Sequence, residues 1–430
     1  MKITVVALGK IGLPLAVQFA AKGHEVLGAD VNPQTVDLVN AATPPFPGES
    51  DLAELLADAV GAGRLRATTD TTAAVAASDA VVVVVPLFVD THGVPDFGWM
   101  DAATRAVAAG LRPGTLVSYE TTLPVGTTRD RFGPMLAAGS GLRVGTDFPL
   151  VFSPERVYSG RIFADLRRYP KIVGGVDAAS TAAGLDFYQA VLDFDPRPDL
   201  SRDNGVWDVG SAEAAELVKL AETTYRDVNI ALANQFARFA DANGIDVFAV
   251  IEACNSQVFS HIHAPGIAVG GHCIPIYPVM YLWNDPAATV VRAAREANAA
   301  MPAYAVQLLR ESYGDLAGAR VVVLGASYRG GVKETAFSGV FGTVDALRSA
   351  GAEVAVHDPM FADEELSALG FTPYHLGEKA DAAVVQADHV AYAGLSAEDL
   401  PGLQVLVDGR RVTSPSGWAG VRRHVLGAGS

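Results

Sequence analysis

Three observations predict an α/β fold of two doubly wound units joined by a long central helix. A β-branched run at residues 3–8 passes through closely spaced glycines into a helical pattern, then into a second apolar run that ends in an acid. Valine is continuous over residues 81–85, the mark of a strand buried on both faces of a parallel sheet. Residues 211–242 contain neither proline nor glycine, and from Gly318 the strand-and-turn pattern starts again.

The first unit is Rossmann-like. Its turn reads Ala7-x-Gly9-x-x-Gly12, with Lys10 and Ile11 at the intervening positions, and the acid beyond it is Asp30. Gly9 lets a backbone approach a pyrophosphate at the N-terminus of the following helix, where free amides and the dipole favour an anion. Asp30, about 20 residues past the turn, suits a ribose hydroxyl and would repel a 2'-phosphate, so NAD is expected over NADP. Residues 1–21 superficially resemble a secretion signal, but Gly9, Gly12 and Pro14 interrupt the apolar run as a strand and helix require.

Further strands are expected at residues 80–85, 116–119 and 150–153. The loops after them become candidate site segments: Pro86-Leu87-Phe88, Thr121-Thr122-Leu123-Pro124-Val125-Gly126 and Ser153-Pro154-Glu155-Arg156. The long helix carries Leu217, Leu220, Ala221, Thr224, Val228, Ala231, Leu232 and Phe236 at helical spacing, and a helix of this length predicts a connector and a homodimer interface. Lys219 and Thr223 share one face of it. Taken alone, Lys219 reads as a solvated lysine paired with Glu216 or Glu222.

Beyond the helix, Gly270-Gly271-His272-Cys273 removes side chains just before a thiol, so a ligand can approach the sulfur closely, as a nucleophile requires. The competing view is that a free cysteine is a small buried hydrophobe, which is expected for Cys254. Strands at 320–324, 354–357, 382–385 and 405–407 form the second unit, which lacks the glycine fingerprint and is expected to pack against a ligand rather than a dinucleotide. Residues 426–430 are expected to fray. The domain boundaries expected are 1–205, 206–305 and 306–430.

A formal net charge of -16 argues against a nucleic-acid partner or an anionic membrane surface, which both need clustered Lys and Arg. Two cysteines give no disulfide framework, so a reducing, cytoplasmic setting is expected. Outside the N-terminus the longest apolar run, residues 80–89, is about half the ~20 residues of a membrane helix. No metal site is expected.

Taken together, Gly270-Gly271-His272-Cys273-Ile274-Pro275, Ser153-Pro154-Glu155-Arg156-Val157, Thr122-x-Pro124-Val125-Gly126-Thr127-Thr128, the helix run from Arg226 to Ala231, Ser327-Tyr328-Arg329 and Val407-Asp408-Gly409-Arg410 resemble the UDP-glucose/GDP-mannose dehydrogenase family. The likeness spans nearly the whole chain and is greatest to the branch acting on UDP-N-acetylmannosamine and UDP-N-acetylglucosamine. It implies two hydride transfers from C6 of a nucleotide sugar to two NAD molecules. Cys273 would form a thiohemiacetal and then a thioester, Lys219 would stabilise the alkoxide, and Glu155 and Thr122 would hold or deprotonate water, Glu155 as the hydrolytic base. By the same resemblance Pro86 and Thr122 would line the cofactor, and Arg156, Val157, Lys219, Gly271 and Arg329 the substrate.

The chain departs from the family pattern where substrate and water are handled. Thr223 stands where the family has asparagine, Tyr277 where it has a catalytic aspartate, and Ala336 where it has a nucleotide-binding arginine. No arginine occurs over residues 253–272, where one serving the partner subunit is expected, and the cofactor loop reads Val85-Pro86-Leu87-Phe88. The leading expectation is oxidation of a nucleotide-sugar primary alcohol to a carboxylate. A divergent dehydrogenase using another nucleoside or sugar alcohol in a single or transient oxidation is second, and a non-catalytic nucleotide-binding paralogue third.

Overall fold

The valine-rich runs become strands because β-branched side chains suit a pleated surface covered on both faces. The computed structural model describes residues 1–90, 92–158 and 160–429. They divide into two compact units, Met1–Ala221 and Glu222–Ser430.

In the first unit, β1 (Lys2–Val6), β2 (Glu25–Ala29), β3 (Leu65–Thr68), β4 (Ala80–Val83), β7 (Leu116–Tyr119), β8 (Leu150–Phe152), β9 (Lys171–Gly175) and β10 (Val206–Asp208) make one sheet, while β5 (Phe88–Val89) and β6 (Pro95–Asp96) form a small hairpin. The sheet order is β10-β9-β8-β7-β4-β1-β2-β3. Strands β8, β7, β4, β1, β2 and β3 run parallel, so the loops that follow them share one rim. Strand β9 is antiparallel to β8, pairing Phe152 with Gly174, so its first residues return to that same rim. Val81, Val82 and Val83 are 0% exposed, each contributing about 1.5–3 kcal/mol of burial.

In the second unit, β11 (Arg320–Leu324), β12 (Glu353–His357), β13 (Thr372–Pro373), β14 (Ala382–Val385), β15 (Val405–Asp408) and β16 (Arg422–Val425) are ordered β13-β12-β11-β14-β15-β16, all parallel. The α/β class with two Rossmann-like sheets is therefore as the sequence predicts. The expected long helix runs from Ala212 to Asn243, and Leu217, Tyr225, Leu232, Phe236 and Phe239 on it are exposed. Among the described residues no helix is long and apolar enough to cross a membrane.

Two expectations need correction. The C-terminal segment is not frayed: Leu426 is 1% exposed, and the Gly427 and Gly429 amides donate to Asp241 Oδ1 at 2.8 and 3.3 Å. Ser430 lies outside the described residues. Cys254 is half-buried rather than enclosed.

Candidate active site

The fingerprint turn of the first unit is formed by Ala7, at φ 77°, whose amide still reaches Ala29 O at 2.7 Å. Gly12 has no alternative, since a Cβ there would sit 1.9 Å from Ala7 O. Gly9 faces open space, nothing lying within 4 Å of where its Cβ would be. That opening ahead of the helix Gly12–Ala21 is the cradle a pyrophosphate needs. At the end of β2 the Asp30 carboxylate accepts the Leu8 and Asn32 amides at 2.8 and 2.9 Å, which fixes it beside the turn. These residues fit a dinucleotide.

Further along the rim, Thr121 Oγ1 donates to Val85 O at 2.7 Å, tying the loop that holds Pro86 to the loop that holds Thr122. Thr122 is 5% exposed. Glu216 secures that second loop from the long helix. Its carboxylate accepts Gly126 N at 2.6 Å, Thr128 N at 2.9 Å and Thr128 Oγ1 at 2.7 Å, and burial pushes it up to about 7.

Glu155, after β8, is where two lysines meet. Lys219 Nζ donates to the Glu155 carbonyl at 2.6 Å, while Glu216, one of the two helix partners its alternative reading offered, is taken up by the Thr122 loop. Lys171 Nζ stands 3.1 Å from Glu155 Oε2 and 2.7 Å from Glu120 Oε2. The Arg156 amide donates to Glu155 Oε1 at 2.7 Å, its guanidinium reaches Pro170 O at 3.3 Å, and Val157 packs against the core of the first unit.

In the second unit Cys273 is exposed. The chain before it is pressed onto the C-terminal sheet: a Cβ on Gly270 would lie 2.5 Å from Tyr328 Cβ, and Gly271, at φ 91°, presents its own missing Cβ 3.1 Å from the Tyr328 ring. The Gly271 amide donates to Ala336 O at 2.8 Å, and Arg410 donates to Gln386 O, Tyr328 O and Ala268 O at 3.0, 3.2 and 3.4 Å. Asn234 Oδ1 and Asn229 Oδ1, on the long helix, accept Gly266 N and His263 N, both at 2.9 Å. The Tyr277 amide closes a turn on Cys273 O at 3.0 Å, which sets Tyr277 at the start of the helix Tyr277–Asn284. Arg329 Nε donates to the Tyr328 hydroxyl at 3.2 Å, and Thr223 is 7% exposed.

Sequence reasoning singled out Glu155, Lys219 and Thr122, and the structure gathers them on the rim of the first unit. Cys273, Tyr277, Gly271 and Arg329 belong to the second. It missed Glu120, Lys171 and Arg410 as site-shaping groups. A signal existed for the first, a carboxylate directly after a buried strand, and for the second, one of few lysines opening an apolar run.

A mostly parallel sheet with a dinucleotide turn, an acid at the next strand end and a lysine-backed glutamate on the rim defines an NAD-dependent oxidoreductase. Models of the UDP-glucose/GDP-mannose dehydrogenase family match its NAD binding domain to residues 1–192, its central domain to 213–300 and its UDP binding domain to 322–415, and the chain belongs to that family, the NAD-dependent nucleotide-sugar dehydrogenases. It is 34% identical over 422 residues to a UDP-N-acetyl-D-mannosamine dehydrogenase of Pyrococcus horikoshii, covering 96% of each chain. The solved UDP-D-ManNAc dehydrogenase of Pyrococcus horikoshii superposes with a TM-score of 0.87 at 31% identity, covering 100% of both chains. A UDP-glucose dehydrogenase of Pyrobaculum islandicum superposes with a TM-score of 0.85 at 28% identity, covering 100% of this chain and 98% of the other.

Proposed function

We propose that this dehydrogenase oxidises the C6 primary alcohol of a nucleotide sugar, similar to UDP-N-acetylmannosamine, to a carboxylate through a thiohemiacetal and a thioester on Cys273. The relatives' substrate names support the sugar. The observation that carries the chemistry is the Lys219 Nζ hydrogen bond to the Glu155 backbone carbonyl, which sets an ammonium suited to a developing alkoxide beside the segment that bears a carboxylate suited to deprotonating water. Gly9, Lys10, Ile11, Gly12, Asp30, Pro86 and Thr122 would hold NAD, which when bound supplies the hydride acceptor, one molecule for each of the two oxidations.

Lys219 donates a hydrogen bond to the C6 oxygen as the hydroxyl proton passes to a water held by Thr122 and Glu155 and C6 gives up its first hydride, which leaves an aldehyde. Cys273 Sγ adds to the aldehyde carbon as the thiol proton passes to the carbonyl oxygen, and the resulting thiohemiacetal gives up a second hydride from C6 and its hydroxyl proton to water, which leaves a thioester. Glu155 takes a proton from water as the water oxygen bonds to the thioester carbon; the C–S bond breaks and its electron pair returns to Cys273. Thr122 and Thr223 orient water and substrate, Arg156, Val157, Gly271 and Arg329 hold the nucleotide sugar, and Tyr277 takes the place of the family aspartate. The domain boundaries at 205 and 305, and a cytoplasmic setting suited to two free cysteines, belong to the same reading.

NADH stoichiometry tests it. With UDP-N-acetylmannosamine, two NADH per molecule are expected, and Cys273→Ser should abolish acid while a first NADH still forms. Lys219→Ala should lower kcat by about 10²- to 10³-fold, as for loss of one oxyanion donor. One NADH per molecule with an aldehyde product would favour a single oxidation, which Tyr277 in the aspartate position supports. Unchanged acid formation by Cys273→Ser would end the covalent route.

A further inference from the structure

Behind Glu155 lies an enclosed set of polar and ionisable side chains that this chemistry does not use. Lys171, Glu120, Tyr188 and Ser118 are 4%, 1%, 0% and 0% exposed. Lys171 Nζ bridges Glu120 Oε2 at 2.7 Å and Glu155 Oε2 at 3.1 Å, the Tyr188 hydroxyl donates to Glu120 Oε1 at 2.7 Å, and Ser118 Oγ stands 2.7 Å from that hydroxyl. The topology assembles them. Glu120 directly follows β7, Glu155 follows β8 by a short turn, and Lys171 opens β9, whose reversed direction brings its first residue back beside the Glu155 loop.

A buried ammonium is costly unless paired, and one carboxylate would be enough to pair it. Lys171 has two, one sealed inside and one at the rim. We propose that Lys171, anchored from behind by Glu120, is a positioning residue for the hydrolytic step, holding the Glu155 carboxylate toward water as its counter-ion. This rests on the reading of Glu155 as the base that takes the water proton.

The electrostatics agree with the geometry. Burial pushes Glu120 up to about 7 despite the neighbouring Lys171, with Glu155 adding to the rise. Burial opposes the charge on Lys171, but Glu120 and then Glu155 more than offset it, and its pKa is raised. Tyr188, forced well up by burial, remains a neutral donor to Glu120. Also facing the Glu155 segment are Lys219, on its carbonyl, and Arg156, whose amide takes Oε1 and whose guanidinium reaches Pro170 O.

Hydrolysis of a simple thioester isolates this step from substrate identity and from NAD. The full-length protein is treated with p-nitrophenyl acetate, which acylates Cys273 with release of p-nitrophenolate, and deacylation is followed against pH. Glu155→Gln should slow deacylation by about 10²- to 10⁴-fold. Lys171→Met should move the acid limb of the profile up by about 1–3 pH units, and Lys171→Arg should restore it. If Lys171→Met does not fold by circular dichroism, the double variant Lys171→Met/Glu120→Leu leaves no lone buried charge and should show the same displacement. A slow Glu155→Gln with an unmoved limb in the folded lysine variant overturns the proposal and leaves the base in place. A Glu155→Gln that deacylates normally removes both.

Discussion

Glu216 shows how far a single side chain's task can lie from what its neighbours in sequence suggest. Three residues before Lys219 it invites an ion pair along the helix, yet its carboxylate turns to three donors of the Thr122 loop, and Lys219 reaches the Glu155 carbonyl. Helical spacing names the residues that share a face but not the loop that packs there, which is why these partners were illegible in the sequence while the place of Asp30 beside the glycine turn, which depends on local spacing alone, was legible. Burial raises Glu216 from 4.5 to about 7. An acid with a raised folded-state pKa holds its proton more tightly when folded, so its contribution to stability is fullest below 4.5 and is lost by about 3 kcal/mol as pH rises through 7. Urea unfolding at about pH 5 and about pH 8 should therefore show a decline in the wild-type protein that Glu216→Gln lacks, the variant also losing about 1–3 kcal/mol because its amide cannot accept both backbone amides. Equal slopes in the two proteins would refute the assignment.

At the scale of elements, the apolar runs of β1, β4, β7, β11, β14 and β15 were readable because parallel strands covered on both faces are nearly continuous in valine, leucine and isoleucine. Strand β9 was not. It begins with Lys171 and ends in Gly174 and Gly175, where a Cβ would lie 1.9 Å from Ser211 O and 2.3 Å from Thr181 N, and paired glycines hide a strand from any pattern of side chains. The thiol loop is likewise held by contacts remote in sequence. Asn234 accepts Gly266 N and donates to Asn298, which in turn donates to Asp227, itself paired with Arg295 at 2.6 Å. Asn234→Ala removes the middle of this buried chain and should cost about 1–3 kcal/mol. Hydrogen exchange should then speed up across residues 261–273 while β11 and β14 stay protected. Unchanged exchange in the loop would mean that the glycine contacts with Tyr328 hold it unaided.

For the whole molecule, Leu217, Tyr225, Leu232, Phe236 and Phe239 are 42%, 57%, 46%, 39% and 63% exposed in a single chain. Positions 225, 232, 236 and 239 fall at heptad-like spacing, so their side chains form a stripe rather than a scatter, and contiguous apolar exposure of this kind marks a surface that another molecule covers. A second copy is the partner the sequence anticipates, since a stripe on a helix is self-complementary about a two-fold axis, each copy offering the other the same residues. We therefore expect a homodimer. Leu232→Asp combined with Phe236→Asp would set two charges on each stripe, four at the joined face, and should weaken association by about 100-fold or more, on the scale of losing two buried anchors. Sedimentation velocity across a dilution series reads this directly, with circular dichroism checking that the double variant keeps its fold. A wild-type protein that sediments as a monomer throughout would remove the dimer. A double variant that dimerises as tightly as the wild type would move the interface to another face.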